Sequence, residues 1–418
     1  METLTIERAN AMPAPTWHRL RMNDVTIELP ADLEHARCVE TVAPSSLVGK
    51  ANAFDHALER AQAALDERTP ASEAEPRAIV AAACGTTDPA DLDVPALTPF
   101  QRAAAERELE NSMVEAFETG MGHQAREYLE FAAGEPIVLA TSPGETAHAS
   151  IRIEGVDGAV NAAAIDLVAA PNSSLALTVT MDSPRAGEGA VGTRIRAFAG
   201  ENAHIDLACT QTLDDSWTAL DDTGIVLDRN GRMTVRHVVL GAGRSYTGLA
   251  ADLRGDDARL DADTRYLGHA QEQRDFNYVA HQRGRRTTCA FNANGVLAGA
   301  SSKTLRGTIE LAHGCKGSEG SEQETVLLAD ERVENRTVPV ILCDEDDVAG
   351  NHGATIGHVR PEQLFYLASR GVSPDAAERL FVTASFEEAA FSAKDDRTRA
   401  AVTRLAAARG IIFEEATA

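Results

Sequence analysis

The chain has 418 residues and a formal charge of −25, with 64 acidic against 39 basic side chains. Such a balance repels the phosphate backbone of nucleic acid and an anionic membrane surface alike, and no basic stripe offsets it, so neither is expected as a partner. The length exceeds one typical core and, at the usual ~150 residues per unit, calls for two or three units.

The stretch from Met1 to Glu7 has neither a basic n-region nor an apolar h-region, and nowhere do about 18 apolar residues follow one another. The expected location is therefore the cytoplasm. There the six cysteines, Cys38, Cys84, Cys209, Cys289, Cys315 and Cys343, are expected as reduced thiols, and no two are spaced as C-x-x-C. That scatter does not supply the four organised thiolates of a permanent iron–sulfur centre. Cys315, in a Gly-rich and potentially exposed turn, is left more open than the other five.

Residues 1–45 read as a polar arm with one short strand, Val25 to Leu29. Ala51 to Arg68 carries Phe54, Ala57, Leu58, Ala61 and Leu65 at helical spacing. Pro70 to Pro99 reads mostly as linker. A second helix is expected from Thr98-Pro99, an N-cap followed by Pro at the first helical position, through Leu109, Met113 and Phe117 to Gly120.

From about Ile137 the apolar period changes to two for roughly two hundred residues. Turns at Asn172, Asn202, Asn230 and Asp257 each open an alternating run, and the apolar openers Leu175, Ile205, Met233 and Leu260 are spaced 30, 28 and 27 residues apart. A polar turn recurring at a near-constant period is what stacked β-coils require, since every coil must repeat its corner. A β-helix is favoured. A sandwich or meander stays open, because Asn230-Gly231 and Asn294-Gly295 are pairs that commonly make hairpins.

After Cys343 comes an acidic turn, Asp344 to Asp347, and then helical patterns: Pro361 to Arg370 ending at Gly371, a helix capped by Ser373-Pro374 with Leu380, Phe381 and Phe386, and a third from Asp396 to Arg409. The boundaries follow: an N-terminal arm and helical region over 1–134, a β core over 135–347, and a C-terminal helical domain over 348–418.

No G-x-x-x-x-G-K-[ST] loop is present, so the chain is not expected to hydrolyse ATP, and G-x-S-x-G and H-E-x-x-H are also missing. What stands out is His352 in Gly350-Asn-His-Gly-Ala-Thr-Ile-Gly357, one imidazole among small residues just after four acidic ones. Neutral imidazole suits iron, and nearby carboxylates concentrate cations. A turn histidine of this kind more often serves structure than ligation.

Five segments then occur in one order: Ser302 to Ile309, Gly317 to Glu324, Asn335 to Ile341, Gly350 to Thr355, and Gln363 to Gly371. Together they resemble the core of the SufB/SufD family of iron–sulfur cluster assembly proteins. The resemblance implies a right-handed parallel β-helix core flanked by N- and C-terminal helical regions, and a non-catalytic scaffold. It implies a dimer with a SufB-like paralogue or a second copy of the chain, and a SufC-like ABC ATPase docking on the C-terminal helices. His352 matches the histidine of the family's S/N-H-G-A-T motif, which implies a metal-binding role toward a transient Fe–S cluster at the subunit interface, with no permanently bound cofactor. In the B paralogue a cluster-building cysteine falls where this chain has Glu324, a departure that favours the D type and leaves a carboxylate to touch iron. Some D-type members have a cysteine where this chain has Gly350. By the same carry-over Leu364, Phe365, Tyr366 and Arg370 belong to the helix near which the ATPase docks. The rivals are a β-helical carbohydrate-active enzyme and a purely architectural partner of SufC with His352 inert.

Overall fold

A computed structural model of the chain describes residues 3–14, 22–47, 49, 52–68, 117–358 and 360–412. Its centre is a parallel β-solenoid of about eight turns. One sheet is built from β4 (Val39–Val42), β6 (Thr146–Glu154), β8 (Ser174–Asp182), β10 (His204–Thr212), β12 (Arg232–Val239), β14 (Arg259–Gly268), β16 (Thr288–Leu297), β18 (Glu319–Leu328) and β20 (Ala349–His358). The other comprises β3 (Glu34–Ala36), β7 (Ala159–Ala169), β9 (Gly189–Ala199), β11 (Trp217–Leu227), β13 (Arg244–Leu253), β15 (Gln273–Gln282), β17 (Ser302–Leu311) and β19 (Glu334–Cys343), with β5 (Ile137–Ala140) also paired to β7. The pairings are parallel except β4 with β6, and a separate antiparallel pair is formed by β1 (Thr3–Ala9) and β2 (Val25–Pro30).

The recurring turns are the corners. Asn172, Asn202, Asn230 and Asp257 all adopt positive φ, between 52° and 62°, a region that asparagine and aspartate tolerate better than other residues with a Cβ. The backbone N–H of each donates to a carbonyl at the next corner: Asn172 to Glu201, Asn202 to Arg229, Asn230 to Asp256 and Asp257 to Arg285, at 2.8–3.0 Å. Side chains join in, Asn230 Nδ2 donating to Asn202 Oδ1 at 2.7 Å and Asn202 Nδ2 to Asn172 Oδ1 at 3.2 Å. The openers Leu175, Ile205, Met233 and Leu260 lie side by side in register and are fully buried. Neither Asn-Gly pair makes a hairpin. Asn230-Gly231 is a corner, and Asn294-Gly295 lies within β16, where a Cβ on Gly295 would meet the Tyr266 ring at 2.1 Å.

Three helical layers cover the outside. α1 (Ala53–Arg68) sets Phe54 and Ala57 against Val168, Phe198 and Val226. α2 (His123–Ala133) sets Ala125, Leu129 and Ala132 against Val160, Ala162, Ala190 and Leu220, together with Ile6, Ile27 and Leu29. After α3 (Pro361–Ser369), α4 (Pro374–Ser392) and α5 (Asp396–Ala408) lay Val382, Phe386, Val402 and Leu405 on Val238, Leu240, Leu267 and Ala298. This covering explains why β7 and β11 are buried at every position instead of alternating.

Several sequence expectations change. The solenoid continues past 347 to His358, because the segment placed in the helical domain pairs with β18 along its whole length. Gly350 to Gly357 is accordingly strand, not a turn. Cys315 is fully buried rather than exposed. Strands β3 and β4, inside the N-terminal region, join the first coil, and α2 was not anticipated. The linker from Pro70 to Pro99 and the helix from Thr98 lie outside the described residues up to 116, while 117–120 are not helical. The three C-terminal helices start as read, with Ser373 and Asp395 accepting capping bonds from the N–H groups of Ala376 and Thr398.

The corner ladder makes a stability prediction. Asn230→Ala keeps a Cβ at positive φ and removes a ladder bond, so it is expected to cost about 1–2 kcal/mol, and Asn230→Gly, which relieves the backbone, to cost less. Equal thermal midpoints for the two variants would refute the strain argument.

Candidate functional site

The solenoid ends on β19 and β20, the last strands of their sheets. In β18 the alternation sends Gly320, Glu322, Glu324 and Val326 inward while Glu319, Gln323 and Thr325 face solvent. Two carboxylates therefore enter the lumen two residues apart, from one strand. Buried charge requires compensation. It comes from Lys303 of β17, whose Nζ lies 2.5 Å from Glu324 Oε1 with both side chains almost wholly buried. Tyr266 donates its hydroxyl to the same oxygen at 2.9 Å, and Thr337 donates to Glu324 Oε2 at 2.6 Å. Lys303 also donates to Thr337 Oγ1 at 3.1 Å.

Glu322 is less well served. It is 4% exposed, and its Oε1 has no hydrogen-bond partner among the described residues. Burial, aided by the negative charge of Glu324 and opposed by Lys303, pushes its carboxyl up to about 7. Burial holds Lys303 below its ordinary range although Glu324 works the other way.

His352 is the register partner of Glu322, and Ala354 that of Glu324. Parallel register partners share a face, so His352 continues the row that enters the lumen. No further coil stacks on it, and β20 is exposed along nearly its whole length. His352 and Glu324 thus lie at the same end of the solenoid on neighbouring strands, with Glu322 in the imidazole's row beside the buried ion pair.

The third group lies just beyond. In α3, Leu364 is half-buried, Phe365 is 77% and Tyr366 58% exposed, and the Arg370 guanidinium sits 5.3 Å from the centre of the Tyr366 ring. Tyr366, Leu367 and Phe381 line a groove with Leu327 of β18, His358 of β20 and Arg360. At 77% exposure Phe365 faces solvent instead of packing on the solenoid.

Glu322, Lys303, Tyr266 and Thr337 were not singled out from sequence. A signal was available: Glu322 and Glu324 are two apart in an alternating run, and Lys303 is one of only four lysines in the chain. Lys303→Met leaves buried carboxylates without their cation and is expected to lower stability by about 3–5 kcal/mol. The double variant with Glu324→Gln should recover most of that loss in a thermal melt. An unchanged midpoint for Lys303→Met alone would show that the pair carries no such role.

The family model described as "SUF system FeS cluster assembly, SufBD core domain" matches residues 151–385. The iron–sulfur cluster assembly protein SufD of Bacillus subtilis is 26% identical over 186 residues, 44% of this chain and 43% of that protein. SufD of Escherichia coli is 32% identical over 92 residues, 22% of each. An iron–sulfur cluster assembly SufBD family protein of Mycobacterium tuberculosis is 37% identical over 87 residues, 21% of this chain and 10% of that one. The aligned part thus spans less than half of these relatives. With the family model covering more than half of the chain, and a parallel solenoid whose last strands carry four of the motif segments with the fifth in α3, the chain belongs to the SufB/SufD family of the SUF system, with D-type proteins among its curated matches.

Proposed function

We propose that this chain is a D-type, non-catalytic scaffold subunit of a cytoplasmic SUF machine, on which an iron–sulfur cluster is held transiently as cargo. The observation that carries this reading is the exposed His352, on an edge strand, in register with a buried carboxylate at the end of the solenoid to which α3 is joined. Imidazole and carboxylate are ligands for iron. Glu324 is committed to Lys303, Tyr266 and Thr337, so Glu322, whose Oε1 is unpartnered, is the better candidate to assist His352. Family membership favours assembly over the carbohydrate-active alternative.

The open edges of β19 and β20 offer backbone donors and acceptors for pairing with another chain. The proposed occupant is a SufB-like paralogue, or a second copy of this chain, supplying the thiolate that Glu324 does not. A SufC-like ABC ATPase would dock on α3 through Phe365, Tyr366 and Arg370, with Leu364 behind them. Closure of two such ATPase subunits would pull on α3, and the groove shared by Tyr366 and His358 gives that movement a short path to β20. The cluster site would then open and close with the nucleotide cycle.

Two experiments test this. His352→Ala is expected to leave the complex assembled but to cut cluster build-up at least ~10-fold on anaerobic reconstitution with iron and sulfide, as the loss of one coordinating group should; normal build-up would remove His352 from the mechanism. Phe365→Glu, which puts a charge into an apolar contact, is expected to weaken ATPase-subunit binding by at least ~10-fold in calorimetry. Unaltered affinity would move the docking surface elsewhere.

A further inference from the structure

Deep in the lumen, several coils from the open end, the described residues contain one group of three metal-ligating side chains: Cys209, Asp221 and His237. All three are buried, at 3%, 4% and 1% exposure, and their ligand atoms lie within 4.8 Å of one another. Cys209 of β10 and His237 of β12 are register neighbours in one sheet, and Asp221 reaches in from β11 of the facing sheet. Two strands from one side and one from the other converge on a single point.

Each polar ligand is held from behind. Thr193 donates to Asp221 Oδ1 at 2.8 Å, which leaves Oδ2 to face the imidazole. His237 Nδ1 is 2.8 Å from the Tyr278 hydroxyl, and that hydroxyl is 2.7 Å from Thr264 Oγ1. If Nδ1–H donates to Tyr278, and Tyr278 to Thr264, the chain of bonds is complete and Nε2 carries a lone pair. Nε2 points toward Asp221 Oδ2 at 3.7 Å, too long for a hydrogen bond, and has no partner among the described residues. An imidazole tied at one nitrogen and bare at the other, beside an oriented carboxylate and a thiol, is the arrangement that metal ligands show.

We propose that Cys209, Asp221 and His237 bind a divalent first-row transition cation of borderline softness, of the Zn²⁺ or Fe²⁺ class, inside the solenoid. The donor set of one sulfur, one nitrogen and one oxygen suits such an ion and not a hard alkaline-earth cation. Thiolate and carboxylate together carry two negative charges, so a dication with neutral imidazole gives a neutral unit, the form that burial tolerates. A tetrahedral ion with bonds of roughly 2.0–2.3 Å holds its donors ~3.3–3.8 Å apart, a spacing that His237 and Asp221 already have at 3.7 Å, so only the longer separations, all within 4.8 Å, close by up to about 1 Å on loading. On binding, the Cys209 thiol releases its proton to solvent, still in reach while the chain folds, as the S–metal bond forms, with no change of oxidation state. This site is separate from the His352 end and does not rest on the scaffold reading.

Because the lumen is enclosed, the ion is loaded as the chain folds. The test uses full chain produced in cobalt-supplemented medium and dialysed against metal-free buffer. About one tightly held Co²⁺ per chain is expected, with thiolate-to-cobalt charge-transfer absorption in the near ultraviolet. Cys209→Ser should lose that band, and His237→Ala and Asp221→Asn should lose most of the metal. Cys289→Ser, which removes another buried thiol, should keep both, and circular dichroism reports whether each variant is folded. Wild-type chain that retains no cobalt, or a charge-transfer band that survives Cys209→Ser, would overturn the proposal.

Discussion

Everything in this molecule depends on coils stacking in register. A corner residue at positive φ turns the chain, its N–H bonds to a carbonyl of the next corner, and each strand is thereby laid residue against residue on the one before. Side-chain rows then run along the solenoid axis, and residues some thirty positions apart in sequence become neighbours. One such row reads Cys209, His237, Thr264, Ala293, Glu324 and Ala354. A slip of one residue would turn every member of a strand from lumen to surface. Chemistry in the lumen is therefore a consequence of register before it is a consequence of residue type.

This dependence decides what could be read in advance. The corners from Asn172 to Asp257 were legible because their constraint is local: positive φ favours asparagine, aspartate or glycine. Where Ala270 and Arg286 take the same conformation, composition offers no signal. The C-terminal helices were legible through their caps, again a local feature. By contrast, Gly350 to Gly357 carries three glycines and β-branched residues only at Thr355 and Ile356, and it is extended because β18 offers it a ladder. The buried strands β7 and β11 owe their lack of alternation to α1, α2 and the N-terminal pair packed on their outer faces, a tertiary cause that no window of sequence contains.

The site divides in the same way. His352 could be picked out from its small neighbours, and the exposed aromatics of α3 from their motif. The partner of Glu324 could not, because Lys303 lies in another strand and reaches the carboxylate across the lumen. The same holds for Asp221 with His237. Opposed sheets bring these pairs together, and their sequence separation follows no repeat. Spacing alone finds neighbours within a sheet, while contacts between the sheets need the coordinates.

Between the two polar groups lies an aromatic layer. Tyr266, Phe276, Tyr278 and Phe291 meet with ring centres 5.4–6.3 Å apart. Tyr278 turns its hydroxyl to His237, and Tyr266 turns its own to Glu324. Among the described residues no hydrogen bond or ion pair links one group directly to the other, so each relies on the partners at its own end. The outer group manages with Lys303 and a Glu322 whose carboxyl burial pushes up to about 7. Among the described residues the inner group has no lysine or arginine in salt-bridge contact with Asp221, only an imidazole that burial holds below its usual range despite the carboxylate beside it. Two carboxylates share one lysine at the open end, whereas one carboxylate inside has no permanent cation against it. That imbalance sets the inner group apart from ordinary core polarity, where hydrogen bonds alone suffice.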